Sequence, residues 1–102
     1  MGLAQVAISS PAGGTGFANG ANVNANGTYT GSMNDVLVIY VDAIGNQQKL
    51  TPTLTASGGN WSCSFTLPLA DWRYMVCARA FNSGDNSTAG DDHAIHCGSP
   101  SP

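Results

Sequence analysis

The sequence predicts an all-β protein folded as an antiparallel sandwich of about seven strands. Apolar side chains occupy every second position of one segment, at Trp61, Cys63, Phe65 and Leu67, and a second alternation begins at Tyr74. A period of two is the pattern of a strand that buries one face. The composition agrees, because only 9% of the residues are charged, glutamate is missing, and 13 glycines supply turns. Few residues that favour an exposed helix remain.

The first half of the chain contains three predicted strands. Val6 and Ile8 alternate with smaller residues and give an edge strand, which Pro11 ends. Residues 13–20 hold too many glycines for regular structure. Residues 23–30 form a second strand, in which Asn26-Gly27 marks a bulge or a tight turn. Residues 36–41 are apolar and β-branched, which predicts a central strand.

The second half contains four further strands. Residues 42–48 form a turn, and Pro52 places the strand after it at a sheet edge. The two alternating segments follow, and residues 82–90 form a polar loop before the last strand. The predicted strands of the whole chain are residues 6–9, 23–30, 36–41, 50–55, 61–67, 74–80 and 93–97.

The charge distribution excludes several classes of function. The formal net charge is −3, and Lys49, Arg73 and Arg79 are the only cations, so nucleic acid and anionic membranes find no basic surface. No apolar run approaches the roughly 18 residues of a transmembrane helix.

The N-terminus lacks the regions of a signal peptide, so we expect either a protein used without Sec export or a piece of a longer exported one. We expect one domain at 1–97 and a tail or linker stub at 98–102.

Several segments of the sequence resemble one known family. They are ISSP at 8–11, GTYTGS at 27–32 before VLVIYVD at 36–42, and GGNWSCSFTLPLADWRYMVCARAFNSGDNS at 58–87. Together they look like the bacterial immunoglobulin-like domains of bacterial surface proteins and phage virion proteins. The resemblance covers most of the chain and is strongest over residues 59–80. It implies an immunoglobulin-like sandwich, and it is specific for the fold rather than for a function.

The resemblance also assigns positions. Trp61 would be the core tryptophan, and Tyr74 the tyrosine near the start of the next-to-last strand. The side chains facing the other sheet would be those of Val76, Ala78 and Ala80. Trp72 and Arg73 depart from the family pattern, which usually has glycine before the tyrosine. Asn82 stands where related modules often carry a calcium-binding aspartate, which lowers the expectation of calcium.

The C-terminal third contains the polar residues that could hold a metal ion. Asp85, Asp91 and Asp92 offer oxygen ligands suited to calcium, but their spacing does not match an EF-hand loop. His93 and His96 are an odd number of residues apart, so they would point to opposite faces of a strand. We therefore predict no metal and no cofactor, and we interpret the three aspartates as part of a solvated segment.

Three cysteines allow one internal disulfide at most. Cys63 shares the inward parity of Trp61, whereas Cys77 has the parity opposite to Tyr74 and should face outward. A Cys63–Cys97 bridge, or buried free thiols without a bridge, fits these positions better than a Cys77–Cys97 bridge.

No catalytic arrangement is predicted. The sequence has no G-x-S-x-G context for a nucleophile, and without glutamate it offers no pair of carboxylates flanking a cleft. Outward aromatic and apolar side chains on the last sheet instead predict a contact patch. Its candidate residues are Trp72, Met75, Arg79 and Phe81, with Tyr40 beside them.

These observations favour a structural or adhesion module that is not an enzyme. The leading expectation is a phage virion surface protein, in a capsid decoration or a tail, whose partners are other structural subunits. The alternative is an extracellular spacer or adhesion module of a bacterial cell-surface or secreted glycan-active protein, which would contact a cell-surface glycan or protein. In a carbohydrate-binding form of this alternative, Trp72, Tyr74 or Phe81 would stack on sugar rings.

Overall fold

The computed structural model describes residues 4–41, 47–54, 59–82, 84 and 86–99. Over these residues the chain forms ten β-strands and no helix that could cross a membrane. The strands are β1 (Gln5–Ser10), β2 (Thr15–Phe17), β3 (Asn22–Thr30), β4 (Ser32–Met33), β5 (Val36–Tyr40), β6 (Gln47–Leu50), β7 (Thr53–Leu54), β8 (Asn60–Thr66), β9 (Arg73–Asn82) and β10 (Ser87–Cys97).

The strands form two sheets that enclose one core. The first sheet has the order β1-β3-β8-β7, and the second has the order β2-β10-β9-β5-β6, with β4 also paired to β9. Neighbouring strands are antiparallel except for β2, which runs parallel to β10. This order matches the immunoglobulin sandwich, in which strands A, B, E and D face strands G, F and C. The predicted fold class, an immunoglobulin-like antiparallel sandwich, is confirmed.

The core is built from the alternating side chains of the sequence. Trp61, Leu67 and Tyr74 are among the largest fully buried side chains, at 0–1% exposure. Over the described residues, the buried cluster consists of Ile8, Val23, Ala25, Val36, Val38, Trp61, Phe65, Leu67, Tyr74, Val76, Ala78, Ile95 and Cys97. Both sheets contribute to it, so burial of these apolar surfaces holds the sheets together.

A buried tyrosine fixes the connection between β8 and β9. The Tyr74 hydroxyl donates to the Leu69 carbonyl and accepts from the Leu69 N–H, both at 2.8 Å. This arrangement is the tyrosine corner of immunoglobulin-like domains. The ring also meets Tyr40 edge-on, with 5.2 Å between the centroids. Burial raises the pKa of Tyr74 to about 12.

Tyr74→Phe should lower the free energy of unfolding by about 1–3 kcal/mol, because the Leu69 N–H loses its acceptor and the Leu69 carbonyl keeps only the weaker Cys97 thiol as a donor. Urea denaturation followed by circular dichroism measures the loss. Tyr40→Phe is the matched control, since it keeps the ring contact and leaves the Leu69 hydrogen bonds intact. An equal loss in the two variants would contradict the tyrosine corner.

The same hydroxyl makes the free energy of unfolding decrease at alkaline pH. Since the pKa of Tyr74 is raised from 10.0 to about 12 on folding, its contribution to stability is complete below pH 10. That contribution is lost as the pH rises towards 12. The wild type should therefore lose stability more steeply than Tyr74→Phe over this interval.

Two segments predicted as loops contain strands, so these predictions are wrong. Residues 13–20 include β2, which pairs with the end of β10 through Thr15, Gly16 and Phe17. Residues 82–90 include the end of β9 and the start of β10, which are paired from Asn82↔Ser87 onward. The second sheet therefore contains a strand, β2, that was not predicted, and its strands β9 and β10 are longer than predicted.

The polar start of β10 is a strand because its side chains bind the first sheet. Asp91 Oδ2 accepts the Ile8 N–H at 2.7 Å, and Ser87 Oγ accepts the Ala4 N–H at 2.8 Å. These bonds span 83 residues of sequence, so no local pattern shows them. The polar residues of β10 thus join β1 to the second sheet.

The predicted strand 50–55 is divided between the sheets. β6 ends at Leu50 in the second sheet, and β7 begins at Thr53 in the first. Thr51 and Pro52 carry the chain across, and Thr55 lies outside the described residues. The predicted turn 42–48 is wrong at Gln47 and Gln48, which belong to β6, and its residues 42–46 lie outside the described residues.

Asp71 attaches the start of the predicted tail to the domain. Its Oδ1 accepts the Ser99 N–H at 2.9 Å, and its own N–H donates to Asn19 Oδ1 at 2.8 Å. Asn19 Nδ2 also donates to Asp71 Oδ1, at 3.3 Å. The hydrogen bonds that the carboxylate accepts from Ser99 and from Asn19 Nδ2 lower the pKa of Asp71. Gly98 and Ser99 are therefore held against the sandwich, and residues 100–102 lie outside the described part.

Candidate functional site

The outer face of the second sheet carries most of the predicted contact residues. Alternate side chains of β9 point away from the core, because their neighbours in sequence are the buried ones. This outward row consists of Arg73, Met75, Cys77, Arg79 and Phe81, in that order along β9. Met75, Arg79 and Phe81 are the predicted contact residues among them. Each of these three predicted residues is half-buried by its neighbours on the sheet.

Apolar side chains of the adjacent strands extend this row into a patch. Met75 lies between Ile39 of β5 and Ala94 of β10 in the strand register. Leu37 is paired with Cys77 on the same face. Directly opposite side chains of antiparallel strands are close enough to touch. We call Leu37, Ile39, Met75 and Ala94 the outer patch.

Leu37 and Ile39 were not singled out from the sequence. Ile39 is 37% exposed although β5 lies between two other strands. The signal for it is the uninterrupted apolar run 36–41, because a strand with a solvated outer face alternates with polar residues. The inner positions Val36 and Val38 are completely buried, which leaves the intervening apolar residues on the outer face.

The three cations of the chain surround the outer patch. Lys49 is paired with Leu37 in the register of β6 and β5, and Arg73 and Arg79 lie in the row of Met75. Lys49 Nζ contacts Asp35 at 3.3 Å, with 69% of the lysine side chain exposed. Lys49 and Arg79 are paired with Asp35 and Asp92, so the rim of the outer patch carries charged groups of both signs.

Arg79 and Asp92 form an ion pair across β9 and β10. Two guanidinium nitrogens approach the two carboxylate oxygens, at 2.5 and 3.4 Å. The hydrogen bond from Arg79 lowers the pKa of Asp92, and the one to Asp92 raises the pKa of Arg79. Both side chains are nearly half exposed, so the pair orients Arg79 more than it stabilises the fold.

Two predicted aromatic contact residues belong to the interior rather than to the outer face. Trp72 is half-buried against the core, and its indole N–H donates to the Val41 carbonyl at 2.6 Å. Tyr40 lies against the fully buried ring of Tyr74. With Tyr74 also inaccessible, the structure does not bring Trp72, Tyr74 and Phe81 together as a stacking surface for sugars.

The candidate metal ligands are not gathered at one point. Asp91 accepts from Ile8 and lies 3.5 Å from His93 Nε2 on the inner side of β10. Asp92 pairs with Arg79 on the outer side, and His96 lies on that outer side as well, beside Gly16. Within the described ranges no group of three or more His, Cys, Asp or Glu could hold a metal ion. Asp85 lies outside the described residues.

All three cysteines are free thiols, which corresponds to the alternative without a bridge. Cys77 is on the outward row but only 5% exposed, because Leu37 and Asp92 stand on either side of it. Burial raises the pKa of the Cys77 and Cys63 thiols to about 11. Cys97 is buried in the core and donates to the Leu69 carbonyl at 3.1 Å.

Compared with known proteins, the chain matches no family model and no curated sequence. The fold nevertheless defines a class, an immunoglobulin-like sandwich, and one of its sheets has an apolar outer face with charged residues at the rim. Its function is therefore argued from that face.

Proposed function

We propose that this protein is a structural module without enzymatic activity, which docks on a partner subunit at the surface of a phage virion. The observation that carries the proposal is the outer patch, an apolar surface on β5, β9 and β10 that no further layer of the described residues covers. Apolar surface of this kind, rimmed by polar residues, is typical of protein contact sites. The resemblance to modules found in phage virion proteins supplies the setting.

The chemistry of the patch indicates the kind of partner. Leu37, Ile39, Met75 and Ala94 offer an apolar centre, and the cations around it offer charge-assisted hydrogen bonds at the rim. Arg79 is already oriented by Asp92. The complementary surface is an apolar patch with carboxylates at its edge, on another structural subunit. Binding would use the flat sheet face and would need no change of fold.

The first sheet presents a different outer face. The exposed side chains of β3 and β8 are uncharged and polar, with the pairs Asn22↔Thr66, Asn24↔Ser64 and Asn26↔Ser62. Such a surface is well hydrated and gives little reason for association with another protein. In the docked orientation it would face solvent, and this asymmetry between the sheets supports a module with one attached and one displayed face.

Ile39→Lys should abolish incorporation into particles, because it places a charge in the centre of the apolar contact. The variant and the wild type, each with an epitope tag, are supplied during assembly of the phage that encodes the chain. Particles are then purified on a density gradient and probed for the tag. We expect the wild type in the particle band and Ile39→Lys only in the soluble fraction.

Asn22→Lys is the matched control, since it adds the same charge at an exposed position of the other sheet. It should be incorporated like the wild type, and circular dichroism should show that both variants are folded. Wild-type protein missing from the particles would contradict the virion proposal. Equal incorporation of Ile39→Lys would contradict the outer patch as the docking face.

A further inference from the structure

The first sheet has an open edge beside β8. Strand β7 contains only Thr53 and Leu54, and it pairs with Ser62 and Trp61 at the start of β8. The chain reaches β7 from the other sheet through Pro52, which lacks the N–H that an added strand residue would donate. Within the described residues no strand pairs with the rest of β8 on this side.

A groove of about 530 Å³ lies at this edge. Its polar walls are formed by Asn24, Asn26, Thr51, Thr53, Ser62 and Ser64. The remaining lining residues are Ala25, Leu50 and Cys63, of which Ala25 is only 1% exposed and the other two are partly buried against the core. We call this the β8 groove. It contains no charged side chain, and it lies at the edge of the first sheet, whereas the outer patch lies on the outer face of the second.

Backbone groups of β8 also point into the groove. The Thr66 carbonyl accepts from Gln48 Nε2 at 2.7 Å on the side of β6, whereas the Leu67 N–H donates to Ala21 on the side of β3. Successive residues of a strand direct their N–H and C=O groups to opposite sides. Ser64, two residues before Thr66, therefore directs both backbone groups towards the open edge.

The donors and acceptors of the groove suit a neutral ligand rich in hydroxyl groups. Each serine, threonine and asparagine side chain both donates and accepts, and so does each sugar hydroxyl. An ion would find no opposite charge here. A peptide strand could form few backbone hydrogen bonds with this edge of β8, because Ser62 is already paired with Thr53 and the Thr66 carbonyl accepts from Gln48. Only Ser64 remains for strand addition.

We propose that the β8 groove binds a neutral oligosaccharide. Asn24 and Ser64, which are paired across β3 and β8, contact its hydroxyls from one side, and Thr51 and Thr53 contact them from the other. Leu50, which is partly buried and lines the groove, receives the apolar face of one ring. The groove has no aromatic platform, so the affinity is in the millimolar range and depends on several copies displayed together. This site is independent of docking through the outer patch.

Nuclear magnetic resonance titration of the intact chain tests the proposal. The probes are the neutral trisaccharides maltotriose, cellotriose and chitotriose, with trigalacturonate as the anionic comparison and sorbitol as a simple polyol. At least one neutral trisaccharide should give saturable amide shifts at Asn24, Asn26, Ser62 and Ser64, and none at Met75. Trigalacturonate and sorbitol should give no saturable shift there.

Asn24→Ala should weaken binding about fivefold, the loss expected for one good hydrogen bond. Asn22→Ala is the matched control, because Asn22 is exposed on the same strand and face but outside the groove. Ile39→Lys should bind the sugar like the wild type, which separates this result from the docking proposal. The absence of saturable shifts with all three neutral trisaccharides, or equal weakening by both asparagine variants, would overturn the proposal. Saturable shifts at Ser64 with an uncharged extended peptide but with no sugar would overturn it as well, in favour of strand addition.

Discussion

Trp61→Ala should lower the free energy of unfolding by about 3–5 kcal/mol. The indole is 1% exposed, it lies in the core cluster between the sheets, and its N–H donates to the Ala7 carbonyl at 3.3 Å. Truncation leaves a cavity and removes the partner of Ala7. Because a domain of this size is stable by only about 5–15 kcal/mol, the variant should lose a large share of its stability. Urea denaturation followed by circular dichroism measures the change.

Trp61→Phe separates volume from hydrogen bonding. It keeps an aromatic ring in the core and should lose less than half as much stability as Trp61→Ala. A loss below about 1 kcal/mol for Trp61→Ala would contradict the core assignment. It would indicate that Trp61 is a surface residue available to a ligand.

Gly27→Ala should be among the most damaging glycine substitutions in the described part of the chain, with a loss of about 1–3 kcal/mol. A Cβ at this position would overlap the Ala7 carbonyl oxygen and lie 2.9 Å from Trp61 Nε1. The first obstacle is backbone, so it cannot rotate away. β1 also shifts register between Ile8 and Ser10 opposite Gly27, and the added methyl would push this bulged strand off β3. Thermal unfolding and hydrogen exchange of β1 amides measure the effect.

Gly13→Ala is the control for this substitution. A Cβ at Gly13 would meet nothing within 4 Å, so the change should stay within about 0.5 kcal/mol. If both alanine variants are equally stable, the close approach of β1, Gly27 and Trp61 is wrong. If Gly27→Ala loses stability without faster exchange of the β1 amides, the loss arises elsewhere than at the β1–β3 contact.

The core strands could be predicted because their inner faces are apolar at a strict period of two. The alternation from Trp61 to Leu67 requires only local information, and the structure buries its aromatic members completely. Asn26-Gly27 was predicted as a bulge or a turn, but β3 continues through it. The irregularity lies in β1, opposite Gly27. The glycine is visible in the sequence, but the sequence does not show which of the two paired strands shifts its register.

The start of β10 could not be predicted, because the reason for its conformation lies in another part of the chain. Asp91 would be a loop residue by composition, but its carboxylate accepts an N–H from β1. β2 is similar, since Thr15 to Phe17 depend on pairing with Ile95 to Cys97. Polar and glycine-rich strands of this kind follow from tertiary contacts and not from local propensity.

The candidate site was partly predictable. The outward row of Met75, Arg79 and Phe81 follows from parity alone once β9 is recognised. Trp72 precedes the strand, and its place against the core depends on a hydrogen bond to Val41, which has no local signal. The β8 groove depends on β7 being only two residues long, and a proline in the sequence indicates an edge without giving the length of that edge.

Methionine footprinting on intact particles tests the docking claim most directly. Met75 is in the centre of the outer patch, whereas Met33 packs against the core and serves as the internal reference. Dilute hydrogen peroxide is applied to the purified chain and to particles that contain it, and sulfoxide is quantified by mass spectrometry. We expect Met75 to be oxidised several-fold more slowly on the particles, with Met33 unchanged. Oxidation of Met75 at the same rate in both samples would contradict docking through this face.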